Sequence, residues 1–314
     1  MTGRNWGAVA ILGLALAITR VGAGAQSLSY GKGQNISPAF EGWEQNDDGS
    51  FNMMFGYMNR NWEEEIDVPV GPNNSISPGD ADQGQPTHFY PRRNRFVFKV
   101  KVPKDWGNKE VVWTLTTNGK TEKAFGTLRT DSFVDNLVQA SEQGALGAGV
   151  SSPAMRENKA PTLKVDSGPK RTVKVGEPVQ LLAYAFDDGI PRPRYGPGSR
   201  SEKYFDRPVQ GVHPSQRPPV ALTVGSQTGL RVSWFVYRGP NNVAFTPEQT
   251  KVWEDTRVGA NSPWAPRWVA PAIPEDGRID TTAVFSEPGT YVLRCLASDG
   301  AIQNTYDVTF VVTR

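Results

Sequence analysis

The sequence is poor in the side chains that carry most enzyme chemistry. It contains one cysteine, Cys295, and two histidines, His88 and His213. One thiol cannot form an internal disulfide, and a cysteine nucleophile needs a neighbouring histidine as its base. The surrounding residues "YVLRCLAS" have the apolar character of a buried strand. We therefore interpret Cys295 as a small core residue.

Motifs that mark known catalytic and cofactor sites are also missing. The chain has no HExxH, GxSxG or GxxxxGK[ST], and no GxGxxG after a predicted strand. We predict no catalytic residues, no cofactor and no metal site. Asp47-Asp48, Asp187-Asp188 and Asp299 could bind a metal only if loops brought them together. A hydrolase with two carboxylates from distant positions stays open, because such acids need not be close in sequence.

The chain also lacks a charge excess of either sign. It has 34 Lys and Arg against 32 Asp and Glu, and cleavage of a leader would remove two of the bases, Arg4 and Arg20. A neutral chain has no electrostatic footprint for nucleic acid. We therefore exclude nucleic acid as a partner class.

Residues 1–25 have the layout of a secretory signal peptide. Arg4 precedes the apolar run "GAVAILGLALAI" (7–18), and "AGA" (23–25) places small residues before a cut at Gln26. This run is shorter than the ~20 residues that a helix needs to cross a bilayer. We predict an exported protein, periplasmic, cell-surface or secreted, without a transmembrane span in the mature chain.

Short strands separated by Gly, Pro, Asn and Asp predict an all-β protein. In "RFVFKVKV" (95–102), Phe96 and Phe98 face the core, and "FNMMFGYM" (51–58) alternates in the same way. We predict two β-sandwich domains joined by a flexible linker. The predicted boundaries are a signal peptide at 1–25, an N-terminal β-sandwich domain at 38–131, a linker at 132–160 and a second β-sandwich domain at 161–314.

Two local signals refine this prediction. Asn118-Gly119 between alternating strands predicts a β-hairpin, because both residues tolerate a positive φ. Within the linker, "SFVDNLVQASEQ" predicts a short helix that is capped by Ser132.

The C-terminal part resembles a known class of domain. "EPGTYVLRCLASDG" followed by "YDVTFVV" is similar to the last two strands of bacterial Ig-like domains of the PKD and cadherin-like type. "VQLLAYAFDDG" (179–189) is similar to their second strand, and Trp234 stands where such sandwiches place a core tryptophan. The resemblance implies an Ig-like fold over 161–314 and no particular function. The chain departs from the PKD pattern, since it lacks "WDFGDG" and has two long insertions.

The N-terminal part resembles segments of exported bacterial proteins that have no assigned activity, through "FGYMNRNWEEEIDVPVGPNN" and "DQGQPTHFYPRR". Asn59, Asn61 and Trp62 in the first segment are candidate ligand-binding residues. An amide pair beside an indole could bind sugar hydroxyls. Alternatively, the asparagines tie down the loop that follows the strand.

His88 is a further candidate because it lies in a long loop, 71–93, with Arg92 and Arg93. A histidine and two arginines could hold a carboxylate or a phosphate. The alternative is a loop held down by its prolines and aromatic residues.

Trp264 and Trp268 belong to a proline-rich stretch that also contains Trp253. Three indoles there either cover the sandwich core or form a binding platform. The proline-rich insertion 187–220 is predicted to be an extended surface loop that could bind a partner.

Together these features predict a non-catalytic binding or scaffold protein of the bacterial envelope. The expected partner is an envelope protein or a polysaccharide. The alternatives are a carbohydrate-binding accessory protein and, less favoured, a carboxylate-dependent hydrolase.

Overall fold

The computed structural model describes residues 30–144, 153–193, 227–255 and 270–314. The predicted signal peptide, most of the insertion 187–220, and both Trp264 and Trp268 lie outside the described residues. Strands dominate what is described, which confirms the all-β prediction. Within the described ranges, no helix is long and apolar enough to span a bilayer.

The first β-sandwich consists of two three-stranded antiparallel sheets, ordered β1-β2-β6 and β4-β7-β8, and a short β3-β5 ribbon. Its strands are β1 (Ile36–Gln45), β2 (Phe51–Asn59), β3 (Ile66–Asp67), β4 (Asn74–Ser77), β5 (His88–Phe89), β6 (Arg92–Val102), β7 (Val111–Thr117) and β8 (Lys120–Gly126).

Aromatic side chains fill the core of the first sandwich. Phe55 of β2 stacks on Phe98 of β6 at 5.4 Å between ring centroids, and Trp113 of β7 meets Phe98 edge-on at 5.0 Å. Large rings fill the gap of about 10 Å between facing sheets. The predicted hairpin is confirmed, because β7 and β8 pair through Asn118-Gly119, with φ values of 47° and 75°.

The second β-sandwich consists of two four-stranded sheets, ordered β10-β16-β15-β12 and β13-β14-β11-β9. The pairing of β10 with β16 is parallel, and the other pairings are antiparallel. Its strands are β9 (Thr162–Val165), β10 (Lys170–Lys174), β11 (Val179–Phe186), β12 (Arg231–Arg238), β13 (Val243–Thr246), β14 (Arg278–Phe285), β15 (Gly289–Ser298) and β16 (Gln303–Thr313).

Both sheets of the second sandwich contribute to one core. Trp234 is 1% exposed on β12, which confirms the predicted core tryptophan. Cys295 is a buried free thiol, as predicted, and burial raises its pKa. Tyr291 packs on Phe285 at 4.9 Å between ring centroids.

The connection between the sandwiches contains a 3-10 turn and two short helices, α1 (Asn136–Glu142) and α2 (Pro153–Glu157). The predicted cap, Ser132, lies in the 3-10 turn instead. Asp135 caps α1, because its carboxylate accepts a hydrogen bond from the Val138 N–H at 2.8 Å. Side chains from both helices, Ala140 and Met155, form a small apolar cluster with Ala301 and Ile302 of the second sandwich. The described part of the connection is therefore packed against that sandwich.

The two sandwiches contact each other along β12, the last strand of its sheet. The Thr87 N–H donates to the Tyr237 carbonyl at 3.3 Å, and the Val236 N–H donates to Tyr90 Oη at 3.1 Å. The Gly239 N–H donates to Thr87 Oγ1 at 3.1 Å. The chain segment 82–90 of the first sandwich thus satisfies backbone groups that an edge strand would otherwise leave unpaired.

Candidate functional site

A cleft of about 450 Å³ lies between the two sandwiches. Strands β2 and β6 form one wall, and β12 and β15 form the other. Concave sites between two rigid units are frequent places for ligands. Its lining includes the side chains of Trp62, Arg92, His88, Lys251, Arg231 and Arg294.

Arg294 holds the two walls together. Its Nε and Nη2 donate to the Asp307 carboxylate at 2.7 and 2.8 Å, while Nη1 donates to the Val97 carbonyl of the first sandwich at 2.6 Å. The guanidinium carbon lies 3.4 Å from the centroid of the Tyr237 ring. Burial alone would lower the pKa of Arg294, but Tyr237 and Asp307 raise it. Arg294 is therefore a permanent cation that bridges the two walls of the cleft.

Trp62 and Arg92 form a stacked pair in the wall of the first sandwich. The guanidinium carbon of Arg92 lies 4.0 Å from the centroid of the Trp62 ring, and Nη1 donates to the Arg60 carbonyl at 3.1 Å. Arg92 has a left-handed backbone conformation, with φ at 59°. Few non-glycine residues adopt this conformation, and it often marks functional positions. The pair offers a half-buried planar surface with a positive charge.

Lys251 and Trp253 form a comparable pair in the wall of the second sandwich. Lys251 Nζ lies 4.9 Å from the centroid of the Trp253 ring and 3.3 Å from Asp255 Oδ2. The Trp253 residue is only 5% exposed. It therefore supports Lys251 more than it offers a face to a ligand.

His88 lies between two carboxylates at the edge of the cleft. Its Nδ1 is 2.8 Å from Asp67 Oδ1 and its Nε2 is 3.1 Å from Glu65 Oε2. Burial alone would lower the pKa of His88, but the two carboxylates raise it. Asn241 of the second sandwich donates to the same Glu65 oxygen at 2.5 Å. His88 therefore has no free ring nitrogen and belongs to a hydrogen-bond chain that crosses the junction.

Arg231, at the start of β12, is a partly buried cation without a carboxylate partner. Its Nη1 donates to the Gln227 carbonyl at 3.0 Å. Across the part of the chain that the structure describes, no Asp or Glu lies within ion-pair distance of it. Burial lowers its pKa to about 10, and the more distant Asp299 opposes this shift. A guanidinium carries five N–H donors, and the hydrogen bond to Gln227 uses one of them.

The structure places the predicted site residues in different environments. Trp62 and His88 line the cleft. Asn59 and Asn61 are fully buried, and their amides bond to the Glu64 and Gln34 carbonyls, both at 2.8 Å, and to each other. Asn59 thus ties down the loop that follows β2, as in the alternative interpretation, and Asn61 joins that loop to the segment that precedes β1.

Sequence reasoning did not single out Arg231, Lys251 or Arg294. Arg231 and Arg294 sit on predicted strands, where a charged residue is ordinarily assigned to a solvated face. Their only sequence signal is that each interrupts an otherwise apolar strand, in "GLRVSWFVY" and "YVLRCLAS".

The aspartates considered for a metal lie elsewhere. Asp299 is fully buried and accepts the Ala301 and Ile302 N–H groups, and Asn158 Nδ2 donates to it at 3.0 Å. Burial raises the pKa of Asp187 to about 6. Among the described residues, no group of three or more His, Cys, Asp or Glu is placed to hold a metal ion.

No protein family and no curated protein matches this chain. Solved structures match it over much of its length. An I-band fragment of titin is 9% identical, with 88% of this chain and 64% of that chain covered and a TM-score of 0.21. The S-layer protein SbsC is 8% identical, with 84% and 23% covered and a TM-score of 0.24. The Yersinia pseudotuberculosis adhesin InvE is 7% identical, with 90% and 60% covered and a TM-score of 0.22. Likenesses at such low TM-scores carry no argument about function, and the fold assignment rests on the strands of this chain.

Proposed function

We propose that the protein is an exported, non-catalytic binding protein of the bacterial envelope that holds its ligand in the cleft between the two sandwiches. The observation that carries this proposal is the cleft itself, a concave space of about 450 Å³ with aromatic and cationic side chains in both walls. Export rests on the features of residues 1–25. The proposed ligand is part of an envelope polysaccharide or protein.

The state of the ionisable groups supports binding over catalysis. Both ring nitrogens of His88 are engaged by carboxylates, so the histidine is not poised to accept a proton from a substrate. Glu142 of the cleft is bonded to Arg95. These groups maintain the architecture of the junction.

A carbohydrate is the favoured class of ligand because of Trp62. Indole rings pack on the C–H faces of sugars, and neighbouring charged donors can bind sugar hydroxyls. The stacked Trp62–Arg92 pair provides both kinds of contact.

A glycan array that includes bacterial envelope polysaccharides tests the proposal. We expect the purified protein to retain at least one glycan and Trp62→Ala to lose it. Trp106→Ala is the matched control, since that indole lies outside the cleft and donates to the Lys109 carbonyl at 2.8 Å. Absence of any retained glycan, or retention that survives Trp62→Ala, would contradict the proposal.

A rigid scaffold is the second candidate function. The bidentate pair between Arg238 and Asp82, at 2.7 and 2.9 Å, adds to the hydrogen bonds along β12. Such a junction suits a spacer of fixed geometry between two partners. Cross-linking in native envelopes distinguishes the two functions, because a scaffold would capture protein partners equally well with Trp62→Ala.

A further inference from the structure

The charges of the cleft are unbalanced. Among the residues that the structure describes, six cationic side chains line it, against two carboxylates, Glu142 and Glu254. The six are Arg92, Arg93, Arg95, Arg231, Arg294 and Lys251. Four of the cations have a carboxylate partner: Arg93 with Glu41, Arg95 with Glu142, Arg294 with Asp307, and Lys251 with Asp255. Glu254 is exposed.

Arg92 and Arg231 are the two cations without such a partner in the described ranges. Arg92 donates a hydrogen bond to the Arg60 carbonyl, and Arg231 donates one to the Gln227 carbonyl. A partly buried cation without a paired carboxylate is unfavourable, because burial removes water from it. For Arg231 the more distant charge of Asp299 offsets this loss only in part, since burial still lowers its pKa. A bound anion would supply a close opposite charge.

Asp299 does not fill this role for Arg231. It lies beyond ion-pair distance, and its carboxylate is occupied by the Ala301 and Ile302 N–H groups and by the Asn158 amide. The fork of donors on Arg231 suits a planar carboxylate, which can accept two parallel hydrogen bonds.

We infer that the cleft selects a carboxylate-bearing saccharide, a uronic-acid oligomer, whose carboxylate binds Arg231 and whose ring packs against the Trp62–Arg92 pair. This inference rests on the proposed function and narrows its ligand class. A neutral sugar would leave Arg231 uncompensated. A bare inorganic anion has no ring to pack against the Trp62–Arg92 pair.

Calorimetric titration of the full protein with trigalacturonate tests the inference, with a neutral galactose trisaccharide and inorganic phosphate as comparison ligands. We expect trigalacturonate to bind at least tenfold more tightly than either. Its affinity should fall as NaCl is raised, since charge pairs are screened by salt. We expect Arg231→Gln to weaken trigalacturonate binding at least tenfold.

Because Arg231 is partly buried, Arg92→Gln provides a second variant at a more accessible position and should also weaken the acidic ligand. Arg278→Gln is the control, since Arg278 is paired with Asp280 on β14, outside the cleft. Circular dichroism verifies the fold of each variant.

The outcomes separate the inference from the proposed function. Neutral trisaccharide binding that is lost with Trp62→Ala and unchanged by Arg231→Gln would overturn the acidic ligand class and retain the cleft as a sugar site. Phosphate that binds as tightly as trigalacturonate would also overturn the ligand class. Binding of trigalacturonate that is indifferent to Trp62→Ala, Arg92→Gln and Arg231→Gln would overturn both.

Discussion

Replacing Arg294 with leucine should loosen the junction between the two sandwiches and destabilise the protein. The substitution removes the pair with Asp307, the hydrogen bond to the Val97 carbonyl and the stacking on Tyr237 together. Only the Val97 bond crosses to the first sandwich. The change in the free energy of unfolding therefore reports both the stability of the second sandwich and its docking on the first sandwich.

The expected magnitude follows from these three contacts. The lost bond to the Val97 carbonyl costs about 1.5 kcal/mol, because the carbonyl is left without that donor. The lost stacking on Tyr237 costs about 1 kcal/mol. The Asp307 side chain is 39% exposed and regains water, so the broken pair adds about 1 kcal/mol and not the 3–5 kcal/mol of a fully buried pair. We expect the free energy of unfolding to fall by about 3.5 kcal/mol in total.

Urea unfolding, followed by tryptophan fluorescence and circular dichroism, measures this loss. Arg294→Lys should fall between wild type and Arg294→Leu, because an ammonium group retains the charge and loses the fork geometry. Arg278→Gln, at an exposed pair, should leave the transition unchanged. A loss below about 1 kcal/mol for Arg294→Leu would refute the assignment of Arg294 as the side chain that fixes the junction.

Three further predictions test other features. The pKa of His88 is raised in the folded state, so its stabilising charge is fully present below about pH 6.5 and is lost as the pH rises through the folded pKa. The melting temperature should fall as the pH rises through the folded pKa of His88, and His88→Gln should make the melting temperature depend less on pH. A pH profile that is the same in wild type and His88→Gln would contradict this prediction. Gly119→Ala should cost about 1 kcal/mol in urea unfolding, because φ is 75° while the space around a Cβ is open. Native Cys295 should resist a thiol reagent such as DTNB and react on unfolding, since it is fully buried; rapid reaction of the native protein would place it at the surface.

The strands could be predicted from the sequence because alternation records which face of a sheet is buried. Irregularities inside the strands could not be predicted from this alternation. A register shift between Phe55 and Tyr57 disrupts the pairing of β2 with β6, and Phe96 has φ at 50°. Phe96 therefore packs with Met54 and Val134 in a separate cluster, while Phe98 stays in the main core. Alternation alone placed both phenylalanines on one face.

The cleft could be predicted only in part, because it exists only where the two sandwiches dock. Trp62 was recognisable as an aromatic residue after a strand, and His88 as a polar residue in the long loop 71–93. Arg231 and Arg294 acquire their roles from neighbours far away in the chain, and Val97 is 197 positions from Arg294. Asn59 and Asn61 looked like ligand-binding amides, but buried loop carbonyls need donors, and these amides supply them.

The segment 82–90 covers the edge strand β12, and this limits how the two sandwiches can be separated from each other. A domain that can be moved between proteins needs sheet edges that do not pair with other chains. In the second sandwich, the β12 edge is protected by the first sandwich. Separated from its neighbour, the second sandwich would display an open strand that could recruit other chains and aggregate. We therefore expect the two sandwiches to fold and to be engineered best as one piece, with the cleft between them retained.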